Sequence, residues 1–471
     1  MKASGAVALA LAILSGPAAA ESLRDIYELA LENDAQLRAQ EAQYRASLED
    51  EKVARSALLP QVTAGYSRED SDTDTTSPGV IGFDQSGTPL IGPTFDNTDI
   101  VRDTYQVSLS QAIFDLPAWF SFKAGRELTK EAEATFAANQ QNLIVRVTEA
   151  YLGVLRAEDN LAASQAQERA FERQLEQTRQ RFDVGLIAIT DVYEAQAAYD
   201  LAQVTRIRDE NAVDVARERL SVLTGKRHEN LEVLAESFQP QKPEPLDRAA
   251  WVDFALANNF NLQAAKYAEE AARQNATARR LEHAPTVSGS ASYSESETTG
   301  SRFQDPASIF NFPPDQERES TVWGIEVSMP LYTGGAVSAN RRRAAQEFIA
   351  ARETRINLAR NTVTEARSLH LTVLSDVAQV AARRQSIKSS RSALDATQAG
   401  YEVGTRNVVD VLNAQNTLFA AQRDYANSRY DYILNMLRLK EQAGLLSPED
   451  VYRLDSYLKE PPPPTASAEE E

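Results

Sequence analysis

The stretch "YEVGTRNVVDVLNAQ" occupies residues 401–415, and "FDVGLIAITDVYEAQ" occupies residues 182–196, 219 residues earlier. Both read aromatic, acid, Val-Gly, a short variable stretch, then Asp-Val and later Ala-Gln. Other pairs keep nearly the same offset. "ALENDAQL" (30–37) matches "ALANNFNL" (255–262), Pro60 matches Pro285, and "LSQAIFD" ending at Asp115 matches "VSMPLYT" ending at Thr333. The matches come in the same order and the offset drifts by only a few residues. The chain therefore divides into two structural repeats, residues 21–238 and 249–448. The Pro-rich "QPQKPEPLD" supplies the linker at 239–248.

Each half has the same internal order. A helix comes first, over 23–57 or 249–282, and ends ahead of Pro60 or Pro285, because proline disfavours helix in the residue before it. Two alternating stretches follow, then a very long helical region. No proline occurs between Pro117 and Pro240 or between Pro330 and Pro448. At 1.5 Å per residue, 118–183 alone would run about 100 Å, a length that needs packing against neighbours. After each repeated phrase the apolar residues recur every seven positions. Val411, Leu418, Tyr425, Tyr432 and Leu439 share one register, with small Ala414, Ala421 and Ser428 three residues on. Val192, Tyr199, Val213 and Leu220 repeat it with Ala195, Ala202 and Ala216, and Arg206 and Asp209 are faults in it. Such a repeat means coiled-coil-like packing.

The alternating stretches, at about 60–70, 103–115, 286–296 and 320–332, have period two and so read as strands with one apolar face. In the last, Trp323, Ile325, Val327, Met329 and Leu331 share a face opposite Gly324, Glu326 and Ser328. Tyr66, Tyr105, Tyr293 and Trp323 stand near strand ends, where membrane-interface aromatics sit, and long polar loops are expected between the strands of each pair. A sheet packed on a soluble core would alternate in the same way. A sheet in lipid, by contrast, allows no free edge, and the smallest membrane barrels have about eight strands. Four strands cannot close, so several copies must share one barrel. Strand gives way to helix at Pro117 and at Gly334-Gly335.

Bulk properties agree with export. Residues 1–20 carry Lys2, the apolar run "GAVALALAIL" and "AAA" at 18–20, the pattern of a signal peptide. The run is too short to span a membrane, and no other segment approaches the roughly 18 apolar residues needed. There is no cysteine, hence no disulfide framework. The 68 acidic residues outweigh 49 Lys and Arg. That argues against nucleic acid as a partner and suits a passage favouring cations. His228, His283 and His370 lie far apart and are expected to be solvated. No zinc spacing, phosphate loop or nucleophile motif appears, so neither a metal, a cofactor nor catalysis is expected. Residues 449–471 follow the second repeat as an equatorial segment and a Pro/Glu-rich tail, "PPPPTASAEEE", of disordered composition.

The repeated order, with "LPQV", "LSQAIFD", "RFDVGLIAITDV", "GYEVGTRNVVDVLNAQNTL" and "ANSRYDYILNMLRLK", resembles the TolC family of outer-membrane channel proteins over nearly the whole mature chain. The resemblance implies a mainly α fold with a small β part. Long coiled-coil helices form a periplasmic tunnel, and four strands per chain contribute to a twelve-stranded outer-membrane barrel in a homotrimer. It implies export of small molecules, proteins or both, with two partners: a periplasmic membrane-fusion adaptor, and an inner-membrane transporter of ABC, RND or MFS type. It puts the two phrases at the closed periplasmic end, with Gly185 and Gly404 as turn glycines. By motif, Thr190, Asp191, Tyr401 and Arg406 become a gate latch, in which Asp191 accepts from the Tyr401 hydroxyl and Arg406 reaches Thr190 or an acid of a neighbouring chain. Asp410 becomes a constriction acid. The family often carries a second acid one turn on, where this chain has Asn413, and Glu194 of the first repeat is expected to replace part of that charge. The alternative class is a structural or adhesive trimeric coiled-coil protein of the envelope, without transport.

Overall fold

The computed structural model describes residues 20–307 and 312–461. The expected signal peptide, apart from Ala20, and all but the first residue of the Pro/Glu-rich tail lie outside the described residues. The first half runs α1 (Leu23–Asn33), α2 (Ala35–Ser56), β1 (Gln61–Phe83), β2 (Pro89–Phe114), α3 (Leu116–Asp183), α4 (Ile189–Thr224) and β3 (Val233–Leu234). The second half runs α5 (Arg248–Asn258), α6 (Phe260–Arg280), β4 (Thr286–Asp305), β5 (Gln316–Ser328), α7 (Ala336–Glu402), α8 (Val408–Gln442), α9 (Pro448–Asp455) and β6 (Leu458–Lys459). The element order of the first half thus recurs in the second, with α9 added ahead of the last short strand. Among the described residues no helix is long and apolar enough to cross a membrane.

Two differences from the sequence expectation have clear causes. The opening helix of each half is two helices, broken at Asp34 and Asn259, both in extended backbone. Each of these residues caps the helix that follows. An Asp34 carboxylate oxygen accepts from the Gln36 N–H at 3.1 Å, and the Asn259 side-chain oxygen accepts from the Leu262 N–H at 2.9 Å. Asp and Asn compete with the backbone in this way, which favours caps over helix interiors. Tertiary partners hold the breaks: Arg146 pairs with Asp34 at 2.5 Å, and the Asn259 amide donates to the Gln442 carbonyl at 3.0 Å.

The second difference lies in the strands. The polar stretch expected as a long loop after residue 70 is mostly strand, and only residues 84–88 turn. β1 and β2 stay paired from Gln61↔Ser110 to Phe83↔Pro89. Alternation is visible only where one face is apolar. Over residues 67–79 of β1 both faces are polar, so the periodic signal vanishes while the backbone pairing continues.

The chain forms two compact units, and each draws on both halves. The strand unit comprises residues 46–130 and 267–353. Its sheet has the order β1-β2-β4-β5, all antiparallel, with β1 and β5 at the edges. The register lines up one apolar face. Tyr66 lies opposite Tyr105, Val107 opposite Tyr293, Ala291 opposite Trp323, and Gly289 opposite Ile325. This face is bare: Trp323 is 80% exposed and Ile325 69%.

The helical unit comprises the described residues of 1–45, 131–266 and 354–471. Within it α3 and α8 run antiparallel, joined by Glu149–Arg438 at 3.1 Å, Arg156–Asp431 at 2.5 Å and Asp159–Tyr430 at 2.7 Å. The first two pairs are seven residues apart on both helices, the period of the apolar seam. Val192, Val213, Leu220, Val411, Leu418 and Leu439 of that seam are buried. The fault at Arg206 is filled by Glu168 of α3 at 2.7 Å. A second core gathers α1, α9 and the start of α5 around Leu23, Tyr151, Trp251 and Leu439. Two histidines expected in solvent are buried there. His228 stands between the Thr224 hydroxyl at 2.7 Å and the Glu21 carboxylate, and His370 lies 3.1 Å from the Leu246 carbonyl. A buried imidazole needs such partners, and only the fold supplies them.

Candidate functional site at the helix ends

The two repeated phrases form two turns of one design. At the end of α3 the Gly185 N–H donates to the Phe182 carbonyl at 2.8 Å and the Leu186 N–H to the Arg181 carbonyl at 2.9 Å. At the end of α7 the Gly404 N–H donates to the Tyr401 carbonyl at 3.1 Å and the Thr405 N–H to the Gly400 carbonyl at 2.9 Å. Both are Schellman caps, which need a left-handed residue. The glycines supply it at φ 75° and 80°.

Below the turns, helices α3, α4, α7 and α8 share a small core of Phe171, Leu175, Val192, Ala195, Tyr401, Val408, Val411 and Leu412. Tyr401 is 5% exposed, and its hydroxyl has no hydrogen-bond partner among the described residues. The ring is held by Arg181 of α3, a residue that motif matching did not single out. Its guanidinium lies 4.5 Å from the ring centroid and donates to the Tyr401 carbonyl at 3.4 Å. A cation over a tyrosine face contributes about 0.5–2 kcal/mol, depending on desolvation. The "QRF" ahead of "DVG" was the available signal, but nothing local said that Arg181 would meet the other half.

The remaining site residues divide into an engaged group and a free group. Asn407 caps α8: its side chain accepts from the Asp410 N–H at 2.8 Å, and the Asp410 carboxylate faces the Asn407 N–H at 3.5 Å. Arg406 lies 3.7 Å from the same carboxylate. Its stem passes over Gly400, where an added Cβ would sit 2.8 Å from the Arg406 Cγ. Thr190, Glu194 and Asn413 are exposed, and Asp191 is half-buried in the first turn of α4. Within the one chain no hydrogen bond joins Asp191 to Tyr401 or Arg406 to Thr190 among the described residues. Val184, Leu186 and Val403 stand 70%, 67% and 75% exposed at the turn tips.

Among the described residues no group of acids and histidines is arranged to hold a metal ion. Comparison with known proteins identifies the chain at this point. The family model described as "Outer membrane efflux protein" matches residues 26–226 and 251–445. The outer membrane protein TolC of Vibrio cholerae is 33% identical over 460 residues, covering 96% of this chain and 97% of that protein. The alkaline protease secretion protein AprF of Pseudomonas aeruginosa is 30% identical, covering 94% and 88%. Among solved structures, the CmeC outer membrane channel of Campylobacter jejuni superposes with a TM-score of 0.71 at 14% identity, covering 93% and 90%. The chain therefore belongs to the outer membrane efflux protein family, the TolC family, and is a non-enzymatic exit duct of the outer membrane.

Proposed function

We propose that three copies close a twelve-stranded barrel and a common helical tunnel, gated at the helix ends. The observation that carries this reading is the open sheet. Its apolar face needs lipid, while β1 and β5 each leave an edge unpaired. Joining β1 of one copy to β5 of the next satisfies both edges and repeats the same contact around a ring. A stripe on α4 supports the same interface: Tyr193, Val204, Val215 and Val222 are exposed at spacings of 11, 11 and 7 residues, which are whole turns of one helix face.

In the closed duct Tyr401 and Arg406 hold the second helix pair to Thr190 and Asp191 of the first, within a chain or across to a neighbour. Tyr401 is suited to this role because its buried hydroxyl lacks a partner in the single chain, and such a group costs about 1–3 kcal/mol until paired. Arg181 sets the ring in place. Asp410, with Glu194, lines the constriction, where symmetry repeats each charge about the axis and attracts cations. The exposed apolar tips at Val184, Leu186 and Val403 suit a periplasmic membrane-fusion adaptor, whose docking shifts the balance toward the open state together with an inner-membrane transporter of ABC, RND or MFS type. Small molecules and proteins are both candidate cargoes, since relatives include both efflux and protease-secretion proteins.

Mass measurement in detergent and conductance in planar bilayers test this together. Trimers that open ion-conducting pores are expected. A monomer, or a trimer that never conducts, would end the duct reading and favour a stalk.

A further inference from the structure

Charge in the strand unit is sorted by position. The four long strands carry thirteen acids against four arginines. The segments where helices meet strands, taken to the same depth into each helix (residues 46–60, 115–126, 270–285 and 329–346), carry ten cations against six acids, in a chain of net charge −19. The cations are Lys52, Arg55, Lys123, Arg126, Arg273, Arg279, Arg280 and the run Arg341-Arg342-Arg343. All lie within about 15 Å of the helix end nearest a strand, counted along their helices. Four of the six acids are already used: Glu49 pairs with Lys52 at 2.7 Å and Glu270 with Arg273 at 3.1 Å. Asp115 caps α3 through the Ala118 N–H at 2.8 Å, and Glu282 pairs with Arg279 at 2.6 Å.

The same helix ends are packed together. Gly125 of α3 faces Ala54 of α2, where an added Cβ would come within 3.0 Å. A cavity there is lined by Ala54, Gly125 and Ala271 of three different helices. His283, just after α6, has its ring nitrogen 2.9 Å from the Pro330 carbonyl, on the lead into α7. Arg343 reaches Glu347 only at 3.6 Å, and no carboxylate lies within 4 Å of Arg55, Arg126, Arg280, Arg341 or Arg342 among the described residues. Lys123 lies over the Trp119 and Phe120 rings at 5.7 and 5.0 Å. Trp119 is 45% exposed and Tyr332 86%, and both stand just beyond strand ends. Exposed aromatics mark the level of a membrane interface, and cations one or two turns beyond it stand at the level of lipid phosphates.

We propose that this end of the strand unit is a basic collar that binds anionic phospholipid headgroups of the periplasmic leaflet. Charge complementarity selects the ligand: arginines match phosphate geometry, and unpaired arginines beside an exposed aromatic belt have no use for an apolar partner. The collar fixes the depth at which the barrel sits and enriches anionic lipid around it.

The full-length protein in mild detergent, titrated with phosphatidylglycerol or phosphatidylcholine and followed by native mass spectrometry, tests the collar. Wild type is expected to retain phosphatidylglycerol in preference. Each arginine neutralised in the series Arg280→Gln, Arg341→Gln, Arg342→Gln should weaken that preference about fivefold at low salt, and less as ionic strength rises. The triple lysine variant should keep most of it. If the triple glutamine variant fails to assemble, the wild-type preference and its salt dependence decide the matter. Equal binding of the two lipids by wild type, or unchanged preference in a folded triple glutamine variant, overturns the proposal. A protein that conducts but shows no lipid preference would sink the collar and leave the duct intact.

Discussion

The turns at Gly185 and Gly404 share backbone hydrogen bonds, glycine conformation and an acid at the third position of the following helix, Asp191 or Asp410. Their side chains diverge at almost every other place. Phe182 is exposed where its counterpart Tyr401 is buried. Arg181 corresponds to Gly400, Ile187 to Arg406, Ala188 to Asn407, and Glu194 to Asn413. The first turn has no side-chain cap, whereas the second has a full capping box. Duplication supplied the scaffold twice, and divergence placed polar groups where the two copies meet. Arg181 shows it most plainly: its partner is Tyr401 of the other half, while its own counterpart, Gly400, has no side chain to offer Phe182, so the clasp is made in one direction only.

Experiments that erase the asymmetry should have the largest effect. Tyr401→Phe combined with Arg406→Ser removes the hydroxyl and the cation from the second turn. Resting single-channel conductance is expected to rise about tenfold or more, since each lost bond is worth about 1 kcal/mol and recurs in every copy. Unchanged conductance would mean that other contacts hold the entrance shut. Arg181→Met keeps the bulk of the side chain but removes the charge over the ring. A rise of about fivefold in resting conductance is expected, with Arg181→Lys in between, because lysine keeps the cation but not the planar fork.

A smaller effect should separate the caps. Asn407→Ala is expected to cost about 1 kcal/mol and to speed amide exchange at the start of α8, whereas Ala188→Asn should slow it at the start of α4. Equal exchange in both variants would show that the caps do not distinguish the turns. The smallest effect concerns the constriction charge. Block by a divalent cation should weaken several-fold in Asp410→Asn and about twofold in Glu194→Gln, and strengthen in Asn413→Asp. No change in Glu194→Gln would remove Glu194 from the ring.

Much was legible in advance because it rests on local rules. The duplication, the long helices, the glycine turns and the strand pairs follow from periodicity and from proline and glycine chemistry, which act over a few residues. The family resemblance came from the same motifs. What escaped was non-local or lacked contrast. The breaks at Asp34 and Asn259 lie inside apolar patterns that continue across them, although both residue types are good caps. The middle of β1, residues 67–79, has no apolar face to betray it. The burial of His228 depends on Glu21, 207 residues away.

The amino-acid sequence by itself determined the repeat, the element types, an acidic exported chain and a sheet too small to seal itself, because each is a matter of spacing and composition. Only the tertiary structure decided which strands are edges, that Arg181 clasps Tyr401, and that cations from four separate segments gather at the foot of the sheet. Those facts depend on segments far apart in the chain being brought together, and no local pattern records such a meeting.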